Sequence, residues 1–215
     1  MEDPHQDGSP TLRAFGPNAW LIQHPQHDLL VELADALLRT PPQGLIEPVL
    51  GYDSLLLHFA TNTEEKDLRQ FLQQLELNGK ESTRQRHHII PVRYDGPDLA
   101  AIAEALRLGT DDIIRLHTAP TYRVRFLGFA PGFAYLDGLD AHLHLPRRDS
   151  PRTRIDPGSV AIGGSHASIY TVPSPGGWNI LGHTDHPLFA PEKNDLSSFT
   201  LAAGDSLEFQ AIEIA

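Results

Sequence analysis

Four arginines, Arg147, Arg148, Arg152 and Arg154, fall within eight residues of a chain whose formal net charge is −11. A guanidinium presents a planar fork of N–H donors that matches a carboxylate or a phosphate. Pro146 and Pro151 limit the backbone around them, which argues against a floppy tail. The run reads either as a cluster that meets an anionic ligand or a partner, or as a solvated, salt-bridged loop.

Two glycine-rich stretches flank it. Leu127 to Leu136 alternates glycine with Phe129, Phe133 and Tyr135, a pattern that suits a packed barrel corner or a ligand-lining loop. Ser174-Pro175-Gly176-Gly177-Trp178 is either a tight hairpin with Trp178 in the core or a pocket wall whose glycines expose backbone N–H groups. His142 and His144, with Asp140, and His183 and His186, with Asp185, have metal-ligand types. Nothing in the order of the chain brings the two pairs together, so no metal site is expected.

Several chemistries are excluded. The chain has no cysteine, hence no thiolate nucleophile or thiolate metal ligand. It carries neither a Gly-x-x-x-x-Gly-Lys-Ser/Thr phosphate loop nor a strand-borne dinucleotide fingerprint. It lacks the Gly-x-Ser-x-Gly elbow of a self-sufficient serine hydrolase. A strongly acidic chain is a poor nucleic-acid binder. No apolar run approaches the roughly 18 residues needed to span a bilayer, and Met1-Glu2-Asp3-Pro4-His5 is wrong for a secretory signal. A soluble, cytoplasmic protein is expected.

The elements that must position these residues fall into two textures. Residues 1–10, rich in Asp, Pro, Gly and Ser, read as a disordered lead-in. Between Thr11 and Arg93 the chain alternates strands and helices: strands at 20–22, 45–50, 54–59 and 88–92, a helix from His27 to Arg39 stopped by Thr40-Pro41-Pro42, and a helix over 64–77 capped by Thr63. This order predicts a small α+β sandwich with its helices on one face. From 94 to 215 a short helix over 98–107, capped by a left-handed Gly109, and a second one from Thr110 lead into a turn-rich β region of the closed or sandwiched kind.

Taken in order, Pro91-Val92-Arg93-Tyr94-Asp95-Gly96-Pro97-Asp98-Leu99, Gly128 to Leu136, Pro146-Arg147-Arg148, Ser150-Pro151-Arg152, Gly158 to Ile162, Ser174 to Trp178, and Leu201 to Phe209 around Gly204-Asp205 resemble one family. It is the group formed by the 5-oxoprolinase B subunit, KipI and allophanate hydrolase subunit 1, also found in the carboxyltransferase region of urea carboxylase. The resemblance covers residues 11 to 213, and its specificity lies in the set rather than in any one motif.

The resemblance implies an N-terminal ferredoxin-like domain over 11–93 and a C-terminal cyclophilin-like β-barrel over 94–215. It implies the B subunit of an ATP-dependent 5-oxoprolinase, which converts 5-oxo-L-proline to L-glutamate. The partners implied are a C subunit of the allophanate hydrolase subunit 2 type and a LamB/YcsF-type A subunit. The cofactor implied is ATP, shared with those partners. Arg147, Arg148, Arg152 and Arg154 then become the cluster facing an anionic ligand or a partner. Gly176, Gly177 and Trp178 form a pocket wall, Phe129 and Phe133 lie opposite, and His183 and Thr184 sit at the rim. No residue emerges as a general base. The alternatives within the group are a KipI-like inhibitor of a sensor histidine kinase and a component of an allophanate or urea amide hydrolase.

Overall fold

A computed structural model describes residues 10–77, 85–193 and 196–213. The expected lead-in lies outside the described residues except for Pro10. The chain divides into two compact units between Arg84 and Gln85.

The first unit is built from β1 (Thr11–Ala14), β2 (Ala19–Gln23), α1 (His27–Arg39), β3 (Leu45–Leu50), β4 (Ser54–Phe59) and α2 (Glu65–Gln74). Its four strands are antiparallel in the order β1-β2-β4-β3. Alternation along β4 turns Leu55, Leu57 and Phe59 to one face, where they bury against Leu30, Leu33 and Leu37 of α1 and Leu68 of α2. The N-cap of α2 is Glu64 rather than Thr63, and the helix stops at Gln74.

A β-α-β-β-α-β order would return the strand after α2 to this sheet. It does not return: β1 holds the edge beside β2. The expected fourth strand, β5 (His87–Val92), belongs to the second unit, where all six residues pair in parallel with β13 (Ser206–Ala211). The expected boundary at 93/94 therefore moves back to 84/85, because β5 satisfies its backbone groups in the second sheet.

In the second unit, α3 (Leu99–Leu106) and α4 (Thr110–Thr118) precede β6 (Tyr122–Leu127), β7 (Ala134–Asp137), β8 (Arg152–Ile155), β9 (Ser159–Gly163), β10 (His166–Ile169), β11 (Ser174–Gly176) and β12 (Asn179–His183). The left-handed residue that ends α3 is Arg107 (φ 56°), not Gly109, which is the extended N-cap of α4. A bond from Leu108 N–H to Ala103 O closes this turn.

Seven strands run β12-β9-β10-β7-β6-β13-β5 and curl into a nearly closed barrel. The two edges meet at one bridge, where Arg93 and His183 exchange backbone hydrogen bonds of 2.8 Å each way. Beyond it, Gly96 N–H reaches Leu181 O at 3.0 Å. Backbones this close leave no room for side chains: a Cβ on Gly96 would run into Ile180 and Leu181, and one on Gly182 into the Arg93 carbonyl. The Pro91–Leu99 motif is thus the seam of the barrel. Inside lie Ile90, Val92, Tyr122, Val124, Leu136, Val160, Ile162, Ala167, Ile169, Leu181, Leu207 and Phe209. The β8–β11 ribbon forms a separate two-stranded sheet and contributes Ile155 to a second apolar cluster with Phe133, Ala161, Tyr170, Trp178 and Ile180. Ala161 and Ile180 alternate with the inward residues of β9 and β12, so this cluster lies on the outer face of the barrel.

Candidate functional site

Asp98, the residue before α3, is buried at 3% exposure. Its Oδ1 accepts from Arg148 Nη1 at 2.7 Å and from Arg152 Nη2 at 2.8 Å. Its Oδ2 accepts from Arg152 Nη1 at 2.9 Å and from the Ile180 backbone N–H at 2.8 Å. Burial pushes this carboxyl up, but Arg152, the Ile180 N–H and Arg148 outweigh it and hold the group below the ordinary carboxylate range. The same pairing raises Arg152. One carboxylate thereby ties together the barrel seam, the start of α3, the 146–149 loop and β8.

Three hydrogen bonds set the loop. Arg148 N–H donates to Gly177 O at 2.7 Å, Gly164 N–H to Leu145 O at 2.7 Å, and Asn179 Nδ2 to Pro146 O at 3.0 Å. They place the Arg147 guanidinium over the Trp178 ring, 5.6 Å from its centroid. Trp178 is buried at 4% exposure and rests on Gly163, where a Cβ would come within 2.8 Å of the indole. Between the loop and α3 runs a groove of about 220 Å³, lined by Asp98, Ala101, Ile102, Ala105, Leu145 to Asp149 and Asn179.

Around Trp178 the aromatic rings meet edge to face. Phe133 lies 5.6 Å from it, Tyr135 5.8 Å, and Phe133 contacts Tyr170 at 5.2 Å. Tyr170 is buried, which pushes its hydroxyl above the ordinary tyrosine value. The Trp178 backbone N–H directed at its oxygen, and the charges of Arg147 and Arg152, pull the other way. Gly176 leaves room for this hydroxyl, since a Cβ there would collide with it.

The structure thus gathers Arg147, Arg148, Arg152, Gly176, Gly177, Trp178 and Phe133 into one corner of the second unit. Phe129 borders it: its ring is 60% exposed and stands 5.2 Å from Phe133, while its backbone takes a left-handed φ of 72°. Arg154 turns away to an exposed pair with Asp156 at 3.0 Å. His183 and Thr184 are also elsewhere. They follow β12 to its far end, about 16 Å along the strand from Trp178 at the usual rise. There His183 Nε2 lies 3.2 Å from Asp185 Oδ1, and the buried Thr184 Oγ1 accepts from His186 N–H. They border the seam rather than a pocket rim.

His142 pairs with Asp140 at 2.7 Å, and His144 meets Leu139 O at 3.1 Å. Among the described residues no three His, Asp or Glu side chains gather as a metal would require, and no helix is long and apolar enough to cross a membrane.

Asp98 and Tyr170 escaped the reading from sequence, and Tyr135 stood in it only as part of the Leu127–Leu136 stretch. Asp98 stood inside the Pro91–Leu99 motif and could be read only as the start of a helix. Its arginine partners are 50 and 54 residues away.

Residues 10–199 match the family model for the carboxyltransferase domain, subdomains C and D. The chain belongs to that family. Among its relatives, the 5-oxoprolinase B subunit of Haemophilus influenzae is 42% identical over 171 residues, 78% of this chain and 79% of that one. The crystal structure of TTHA0988 superposes with a TM-score of 0.81 at 34% identity, covering 95% of this chain and 41% of the other. The Kluyveromyces lactis urea carboxylase shares the fold at a TM-score of 0.72 and 18% identity, over 95% of this chain and 22% of the enzyme. In the two solved structures, then, this fold is a minority of a longer chain.

Proposed function

We propose that this chain is the B subunit of an ATP-dependent 5-oxoprolinase. In this reading it is a cytoplasmic protein that acts with a C-type subunit and a LamB/YcsF-type A subunit to open 5-oxo-L-proline to L-glutamate. The observation that carries the reading is the arginine and aromatic corner built around Asp98 and Trp178, in a chain 42% identical to a 5-oxoprolinase B subunit. An unstrained lactam resists hydrolysis. Transfer of the ATP γ-phosphoryl group to the lactam oxygen releases ADP and turns that oxygen into a leaving group. Water then adds at the carbon, the C–N bond breaks as the nitrogen takes a proton, and a second water cleaves the resulting acyl phosphate to the carboxylate and phosphate. Each step handles anions, and a guanidinium-rich corner in an otherwise acidic chain suits them.

The barrel is read as cyclophilin-like, and the first unit as a ferredoxin-like variant with β1 in the fourth strand position. Co-expression with C-type and A-type subunits, followed by ATP-dependent release of glutamate from 5-oxo-L-proline, tests the proposal. An assembled three-subunit complex that releases none would overturn it.

A further inference from the structure

Three guanidinium groups, those of Arg147, Arg148 and Arg152, stand in the corner beside Trp178. Arg148 and Arg152 pair with Asp98, and Asp149 lines the neighbouring groove. Among the described residues no carboxylate lies within ion-pair distance of Arg147; its guanidinium stands over the Trp178 ring. Across the same indole, Tyr135 meets Trp178 edge-on at 5.8 Å. Its ring stacks on Phe126 at 4.4 Å with 15° between planes and lies 5.3 Å from Phe133, so it is held on two sides. Among the described residues its hydroxyl has no hydrogen-bond partner. Both Arg147 and Tyr135 act electrostatically on the Tyr170 hydroxyl, and the Tyr170 ring packs 5.2 Å from Phe133.

We infer that Arg147 and the Tyr135 hydroxyl form a receptor for one small oxyanion, the carboxylate or phosphoryl oxygens of the substrate, seated over Trp178. A charged fork and a neutral donor both border the buried Trp178 ring. Asp98, the buried carboxylate, is engaged by Arg148, Arg152 and the Ile180 N–H and so does not neutralise Arg147. Pairing Arg148 and Arg152 to Asp98 turns them into scaffold and leaves Arg147 as the binding cation. The identity of the carboxylate rests on the oxoprolinase reading; the receptor itself does not.

The chain carries two tryptophans, so a Trp20→Phe background makes Trp178 the only indole reporter. The emission of Trp178 is followed during titration with 5-oxo-L-proline, with 2-pyrrolidinone, which has the lactam but no carboxylate, and with inorganic phosphate. A saturable change with 5-oxo-L-proline or with phosphate, and none with 2-pyrrolidinone, is expected; whichever anion saturates identifies the source of the oxyanion. Arg147→Gln should weaken binding about tenfold and Tyr135→Phe about threefold to tenfold, whereas Arg154→Gln should leave it unchanged. Circular dichroism and the melting temperature verify that each variant folds. Equal binding by wild type and Arg147→Gln, or no saturable response to either anion, removes the receptor. A three-subunit complex that releases glutamate while Arg147→Gln binds normally leaves the oxoprolinase reading standing without it. Anion binding that Arg147→Gln abolishes, in a complex that releases no glutamate, does the reverse.

Discussion

Asp98 and Arg152 meet through two parallel hydrogen bonds, 2.9 Å from Nη1 to Oδ2 and 2.8 Å from Nη2 to Oδ1. This fork-to-fork pair fixes both the direction and the rotation of the guanidinium, and through it the position of β8 against the start of α3. Replacing Asp98 with Asn leaves two guanidiniums and the Ile180 N–H facing a neutral amide. The expected loss is about 3 kcal/mol, near the low end for breaking a buried pair, because both arginines remain partly in water. Urea denaturation of Asp98→Asn checks this.

Acid should destabilise the second unit through His117. Burial lowers this imidazole to about 3, against about 6.5 for an unfolded histidine. Between these values the unfolded chain binds a proton that the folded chain does not, so stability is full above about 6.5 and declines as pH falls toward 3. Asp98, also lowered, adds a loss of the same sign below the ordinary carboxylate range. The Tyr94 hydroxyl meets His117 Nδ1 at 2.7 Å, and among the described residues Nε2 has no partner. His117→Leu should therefore flatten the decline between about pH 6.5 and 4.5 in thermal melts; an unchanged slope would assign it to other groups.

The seam should tolerate no side chain. Gly182→Ala drives a Cβ into the Arg93 carbonyl and is expected to cost at least about 2 kcal/mol, as overpacking between fixed backbones does. Gly109→Ala meets only Asp112 Oδ2 at 3.5 Å, with an ordinary φ of −74°. It should stay within about 0.5 kcal/mol of wild type. Parallel denaturation curves separate the two.

Phe129 combines an exposed ring with a left-handed backbone, a conformation that costs a bulky residue roughly 1–2 kcal/mol. Phe129→Gly should leave the melting temperature unchanged or higher, since little buried area is lost. If the ring is a docking contact, association with the C-type subunit measured by calorimetry should weaken. A variant that melts lower would mean that the ring's contacts with Phe133 and Tyr170 outweigh the strain.

Much of this was legible in local pattern. The apolar spacing of Leu30, Leu33 and Leu37 and the stop at Thr40-Pro41-Pro42 mark α1, and alternation marks β4. What could not be read is pairing across distance. The period of β5 identifies a strand, but its partner lies 119 residues away, and a periodic pattern says nothing about which sheet receives it. The arginines were visible as a cluster by type, yet their sorting into scaffold and binding cation depends on Asp98, a residue from another segment. His183 and Thr184 follow Trp178 closely in sequence, and an extended strand carries them away from it.

Because β5 and β13 are parallel neighbours, the opening and closing staves of the second unit lie side by side. On the ribosome, the residues of β5 emerge early and must wait with one edge uncovered until residue 211 has been synthesised. Such long-range closure slows folding and exposes a template for mispairing in the interval. Assembly of this unit therefore waits for β13, and chaperone demand during synthesis should fall on the stretch beginning at His87.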